Sequence, residues 1–88
     1  MIIKLSASSC PAIESKTISG LRGGSTTKIE KLAREYSKEH SCHVDVYEID
    51  GRVDETGELQ NRETLIAVFH RTSLLDQTSR IHGYMEWR

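Results

Sequence analysis

The sequence predicts an α+β fold: an antiparallel sheet of four to five strands with one amphipathic helix packed on one face, in the order β-β-α-β-β-β. Three observations carry that expectation. Ile29, Leu32, Ala33 and Tyr36 recur with the i, i+3, i+4, i+7 spacing of a helix buried along one side. Segments before and after that helix instead alternate apolar and polar residues with the period of two that belongs to strands. Three such segments follow the helix in quick succession, which favours antiparallel meander pairing over a parallel sheet with its long crossovers.

Each element has its own justification. Met1 to Ser8 reads as a strand, with Ile3, Leu5 and Ala7 on one face and Lys4 and Ser6 on the other. Ser9-Cys10-Pro11 ends it, because proline cannot donate to a ladder. Glu14 to Ser19 is poor in helix formers and rich in hydroxyl residues, with Ile13 and Ile18 as its large apolar side chains, and reads as an edge strand. Gly20-Leu21-Arg22-Gly23-Gly24-Ser25-Thr26-Thr27 then leads into the helix, which runs to about His40. Thr27-x-x-Glu30 has the spacing of a capping box, and Ser25 is the competing N-cap. His40 in the last turn suits the negative end of the helix dipole.

Beyond the helix, Cys42 to Ile49 alternates. Cys42, Val44 and Val46 share one face, and His43, Asp45 and Tyr47 the other. Ile49 falls on the second face, which points to a bulge or to burial on both sides near Tyr47. Asp50-Gly51 and Glu55-Thr56-Gly57 mark a polar connection. Thr64 to His70 is apolar on both faces, the pattern of a strand inside its sheet. Thr72 to Ser79 reads as a turn in which Leu74 and Leu75 need cover. Arg80 to Trp87 alternates once more, with Ile81, Gly83, Met85 and Trp87 opposed to His82, Tyr84 and Glu86.

At 88 residues the chain suffices for one domain, residues 1–88, with one core. A hydrophobic fraction of 36% beside 28% charged residues suits a folded chain. The net charge of −1 argues against a strongly basic nucleic-acid binder and equally against a dense negative surface that mimics DNA. No apolar run approaches the roughly 20 residues that span a bilayer, and Met1-Ile2-Ile3-Lys4-Leu5 does not open a signal peptide. The expectation is a cytoplasmic protein without a membrane partner, in which Cys10 and Cys42 are free thiols.

The candidate sites follow from residue type and spacing. The glycine loop lacks the G-x-x-x-x-G-K-[ST] order, since Ser25 follows Gly24 and Lys28 comes late, and it is not G-x-G-x-x-G. It reads as a turn into the helix, with Arg22, Ser25, Thr26 and Lys28 as a generic anion contact at most. Lys31, Arg34 and Lys38 fall within an arc of about 60° on the helix. With Arg22 and Lys28 they are spaced to follow a phosphate backbone, although Glu30, Glu35 and Glu39 border them and make a solvated charged face the stronger reading. His40, Cys42 and His43, with Cys10, His70 and His82, match no zinc spacing, and no metal or cofactor is expected. No nucleophile elbow, H-E-x-x-H or carboxylate pair stands out, so the chain reads as non-enzymatic. What remains is a sheet face without an obvious cover, bearing His43, Tyr47, His82, Tyr84 and Glu86 with Arg71 at its rim, and Trp87 as core or contact residue. The residues expected to engage a partner are therefore Arg22, Lys28, Lys31, Arg34, Lys38, Tyr47, Arg71, Tyr84 and Trp87, and a homodimer is one way to cover the open face.

Two resemblances bear on function. Tyr47-Glu48-Ile49-Asp50 followed by Leu65 to Arg71 is similar to the late strand pair of RelE/ParE endoribonuclease toxins. That resemblance implies phosphate stabilisation and proton transfer by His70, Arg71, Arg80 and Tyr84, whereas those toxins carry a helical hairpin after the first strand and a basic charge. The layout as a whole resembles small phage anti-CRISPR proteins, over most of the chain but without a diagnostic motif. That resemblance implies a stoichiometric inhibitor, encoded by a phage or mobile element, that occludes the nucleic-acid channel of a host protein or ribonucleoprotein complex. A nucleic-acid-binding protein using the basic helix face is the alternative, and the ribonuclease toxin the second alternative.

Overall fold

A computed structural model describes residues 1–72 and 83–88. The expected turn with Leu74 and Leu75, and Arg80, Ile81 and His82 of the last expected strand, lie outside the described residues. The described elements are β1 (Ile2–Ala7), β2 (Lys16–Ile18), α1 (Thr26–His40), β3 (Val44–Val53), β4 (Leu59–Arg71) and β5 (Gly83–Trp87). The strands form one antiparallel sheet in the order β2-β1-β3-β4-β5, and the helix lies on one face of it against β1, β3 and β4. The expected α+β architecture and element order are thus the observed ones.

The core sits between helix and sheet, where the alternation of each strand meets the helical stripe. Ile3, Leu5 and Ala7 of β1, Val44 and Val46 of β3, and Ala67 and Phe69 of β4 are buried against Ile29, Ala33 and Tyr36. Leu21 and Cys42 close the two ends of this layer, and Leu32, Ile66 and Met85 pack at its margin. Gly83 is buried beside Phe69, where the ring allows no side chain: a Cβ there would lie 2.5 Å from Phe69 Cζ and 2.6 Å from the His70 carbonyl oxygen.

The helix start differs from the expected capping box. The N-cap is Ser25, Thr27 lies inside the first turn, and no side chain among the described residues caps the helix N-terminus. The backbone supplies the turn instead. Ser25 N–H donates to the Arg22 carbonyl (3.2 Å), Thr26 N–H to that of Gly24 (2.9 Å), and Gly24 adopts φ +83°, which a Cβ would disfavour. The loop is therefore an architectural turn. At the other end Ser41 takes the left-handed conformation (φ 54°) and Cys42 N–H returns to the Ser37 carbonyl (3.3 Å), closing the helix.

The irregularity expected near Tyr47 is present, but the extra residue lies on the partner strand. Val46 pairs with Ala67 and Tyr47 with Leu65, leaving Ile66 as the bulge. Ile66 leans towards the core, so both its neighbours keep the faces their pattern demands.

The larger departure is the length of the β3–β4 hairpin. Asp50 and Gly51 belong to β3, paired with Arg62 and Asn61, and the connection is confined to Asp54–Glu58. Among the described residues the last pairs of the hairpin have no other strand beside them: β1 pairs with β3 only as far as Ile49, and β5 with β4 only from Ala67 onward. A two-stranded arm therefore extends from the sheet, and the molecule spans 54 Å along its longest axis.

Candidate protein-binding surface

Cross-strand partners in an antiparallel sheet point to the same face. The register therefore assembles the surface opposite the helix row by row. Ile2, Ile49 and Glu63 form one row, Lys4, Tyr47 and Leu65 the next, then Ser6, Asp45, Val68 and Glu86, and finally His70 with Tyr84. No described helix or strand lies over this face, since α1 occupies the other.

The first two rows make an apolar strip held by one cation. Lys4 Nζ donates to Glu63 Oε2 at 2.7 Å and sits 4.9 Å from the Tyr47 ring centroid. The ion pair is partly exposed and contributes at most about 1 kcal/mol, but with the cation–π contact it fixes the Tyr47 ring against the sheet. Ile49 and Leu65 are half-buried around that ring, and Ile2 is exposed at its edge.

The far rows form a polar and aromatic cluster. His70 stacks on Tyr84 with centroids 4.9 Å apart, and His70 Nε2 lies 2.9 Å from Glu86 Oε2. His43, immediately before β3, has its ring centroid 6.0 Å from that of His70. Its Nδ1 accepts the Arg71 N–H at 3.0 Å, which assigns the remaining proton of a neutral His43 ring to Nε2. Tyr84 is 56% exposed. The face thus sets Tyr47 and Tyr84, a residue type enriched at protein interfaces, among aliphatic side chains and charges of both signs.

The structure sorts the residues expected from the sequence onto different surfaces. Tyr47 and Tyr84 lie on the helix-free face, as the alternation predicts. Arg71 does not stand at its rim: its Nη1 turns to the helix side and donates to the Ser37 carbonyl at 2.9 Å, placing a cation at the helix C-terminus. Trp87 pairs with Ala67 and so faces the helix side, at the outer strand and 41% exposed. Arg22, Lys28, Lys31 and Lys38 are exposed in the loop and helix of the opposite layer, and Arg34 reaches Glu30 at 3.3 Å within the helix. No single partner surface includes all nine.

Lys4, Glu63, Leu65, Ile2 and Ile49 were not among the expected site residues. Alternation places Lys4 and Ile49, but Glu63 falls before the strand expected from Thr64 and Leu65 within a run apolar on both faces, and the strip exists only through the pairing of strands that the sequence does not show to be neighbours. The thiols lie elsewhere. Cys42 is buried and Cys10 half-buried, both are free, and burial, followed by the neighbouring Cys10, pushes the Cys42 thiol up from its ordinary value. Among the described residues no group of three or more His, Cys, Asp or Glu side chains is placed to hold a metal ion, and no helix is long and apolar enough to cross a membrane.

No protein-family model, no curated protein and no solved structure matches this chain.

Proposed function

We propose that the chain is a small non-enzymatic binding protein that docks a protein or ribonucleoprotein partner through the helix-free face of its sheet. The observation that supports this most directly is the strip of Ile2, Tyr47, Ile49 and Leu65, pinned by Lys4, with the exposed Tyr84 two rows away on the same face. Ordered aromatic side chains lose little freedom on binding, and Tyr at the centre of an interface commonly carries a large share of the affinity. The resemblance in layout to phage anti-CRISPR proteins makes a nucleic-acid-handling host complex the first partner to test, with inhibition as the outcome of docking. Immobilised protein is compared with a Tyr47→Ala/Tyr84→Ala variant and with a Lys31→Glu/Lys38→Glu variant for capture of a host complex. Capture by the parent and the helix variant, lost with the tyrosines, is expected. Absence of any specific partner, or loss confined to the helix variant, overturns the reading and in the second case favours the basic helix face.

A second reading has one observation in its favour. His70 oriented by Glu86 and stacked on Tyr84 is an arrangement suited to proton transfer, as in a ribonuclease. Arg71, the cation that such a reading needs beside it, is engaged with the helix instead. Cleavage of RNA by the purified protein, abolished by His70→Ala, would establish this activity and displace the binding-only reading.

A further inference from the structure

The arm carries a feature that neither face of the sheet explains. β3 flanks β4 along one edge from Leu59 to Phe69, but β5 covers the other edge only from Ala67 to Arg71, with Arg88 N–H adding a bond to the Ile66 carbonyl. From Leu59 to Leu65 that second edge has no neighbour among the described residues. Glu58 turns its backbone inward, its carbonyl accepting the Asp54 N–H and its N–H donating to Asp54 Oδ1, both at 2.9 Å. Because backbone groups alternate along a strand, Leu59, Asn61 and Glu63 then direct their N–H and carbonyl groups outward. Leu-Gln-Asn-Arg-Glu-Thr-Leu contains no proline, lysine or glycine; Arg62, Glu63 and the bulge at Ile66 guard its far part, whereas Leu59-Gln60-Asn61 is an uncharged stretch open to pairing.

A two-stranded ribbon is marginal alone in water and gains from a further strand. The charges on this edge indicate which strand fits. Glu58 and Arg62 lie four residues apart on the same side of the ribbon, and neither makes an ion pair among the described residues. Asp50, the cross-strand neighbour of Arg62, bonds Arg52 instead at 3.1 Å.

We infer that two copies of this chain join β4 to β4, antiparallel about a two-fold axis at Gln60, making one continuous sheet across the dimer. In this register Glu58 of each copy stands opposite Arg62 of the other, twice by symmetry, and Leu59 exchanges backbone hydrogen bonds with Asn61 of the second copy. Leu59, 70% exposed in the single chain, gains cover. A two-fold centred on Arg62 would oppose two arginines, and one centred on Asn61 would oppose Glu58 to Thr64, so the charge pattern selects Gln60. This surface is separate from the helix-free face proposed to bind a partner, and either can fail without the other.

Sedimentation velocity at high micromolar concentration tests the inference. The parent chain is expected to sediment as a dimer of its 10.0 kDa mass. Glu58→Arg and Arg62→Glu each place like charges opposite one another and are expected to weaken the dimer roughly tenfold. The double variant E58R/R62E restores the pairing in exchanged form and is expected to recover the dimer. Asn61→Pro removes an outward N–H while leaving the inward bonds to β3, and is expected to leave a folded monomer by circular dichroism. A monomeric parent, a dimer indifferent to both single reversals, or a double variant no better than the singles would overturn it.

Discussion

The β3–β4 hairpin is two structures built on one ladder. In its proximal half Val44, Val46, Ala67 and Phe69 are buried beneath the helix, with β1 and β5 paired on either side. Its distal half, Asp50–Val53 with Leu59–Arg62, is exposed throughout. Val53 and Leu59 face each other there at 68% and 70% exposure, while their counterparts Val44 and Phe69 at the other end are at 0% and 1%. The backbone pairing is continuous apart from one bulge, so strand pairing alone does not decide stability. The proximal half is held by apolar burial, whereas the arm has the ladder, its turn and a few side-chain bonds.

That contrast predicts unequal responses to substitution. Phe69→Ala removes the largest fully buried side chain and is expected to cost about 3–5 kcal/mol in denaturant unfolding. A loss below about 1 kcal/mol would mean that the core is not centred where the helix meets β4. Gly83→Ala is expected to cost about 1–3 kcal/mol, because the added methyl meets the Phe69 ring and the His70 carbonyl and one of them must move. Leu59→Ser in the arm is expected to change the unfolding free energy of the monomer by no more than about 0.5 kcal/mol, despite removing a larger side chain than Gly83→Ala adds. Equal effects of Phe69→Ala and Leu59→Ser in dilute solution would abolish the distinction between the two halves.

The same contrast explains what could be read from the residues. Helix, core and the faces of β1, β3 and β5 were legible because burial leaves a periodic apolar signature: Ile3, Leu5 and Ala7, or Ile29, Leu32, Ala33 and Tyr36, announce their faces directly. The arm leaves none. Asp50-Gly51 looks like a turn because both residues are turn formers, yet they are held extended by pairing with Arg62 and Asn61 across the hairpin. Thr27-x-x-Glu30 shows the opposite error, a local motif present in the sequence but unused, since Gly24 and the Ser25 backbone had already turned the chain. Of the candidate surface, Tyr47 and Tyr84 were found by alternation. Arg71 shares the face of Ala67 and Phe69 by alternation along β4, and the run apolar on both faces hid which of them the helix covers; its guanidinium therefore meets the helix C-terminus instead of the open rim. Lys4 over Tyr47 required knowing that β1 and β3 are neighbours.

The smallest expected effect tests what holds the arm's end. The Asp54 carboxylate accepts hydrogen bonds from the Thr56 hydroxyl (2.7 Å), from the Glu58 and Thr56 N–H groups (both 2.9 Å) and from Gln60 Nε2 (2.9 Å). The Thr56 hydroxyl first, then the Glu58 N–H, hold its pKa below the ordinary carboxylate range. A depressed folded value means that the ionised form is favoured in the closed turn, so its contribution is complete above the ordinary carboxylate pKa of about 4 and is lost as pH falls through the depressed value. Amide exchange at Thr56 and Glu58 is therefore expected to lose protection below about pH 4, while amides of Val46 and Phe69 remain protected. Asp54→Asn, whose side chain cannot become an anion, is expected to lower protection at neutral pH and to remove most of the pH dependence. Protection at the turn that stays constant to about pH 2, or that collapses together with the core, would show that Asp54 does not close the arm independently of the buried half.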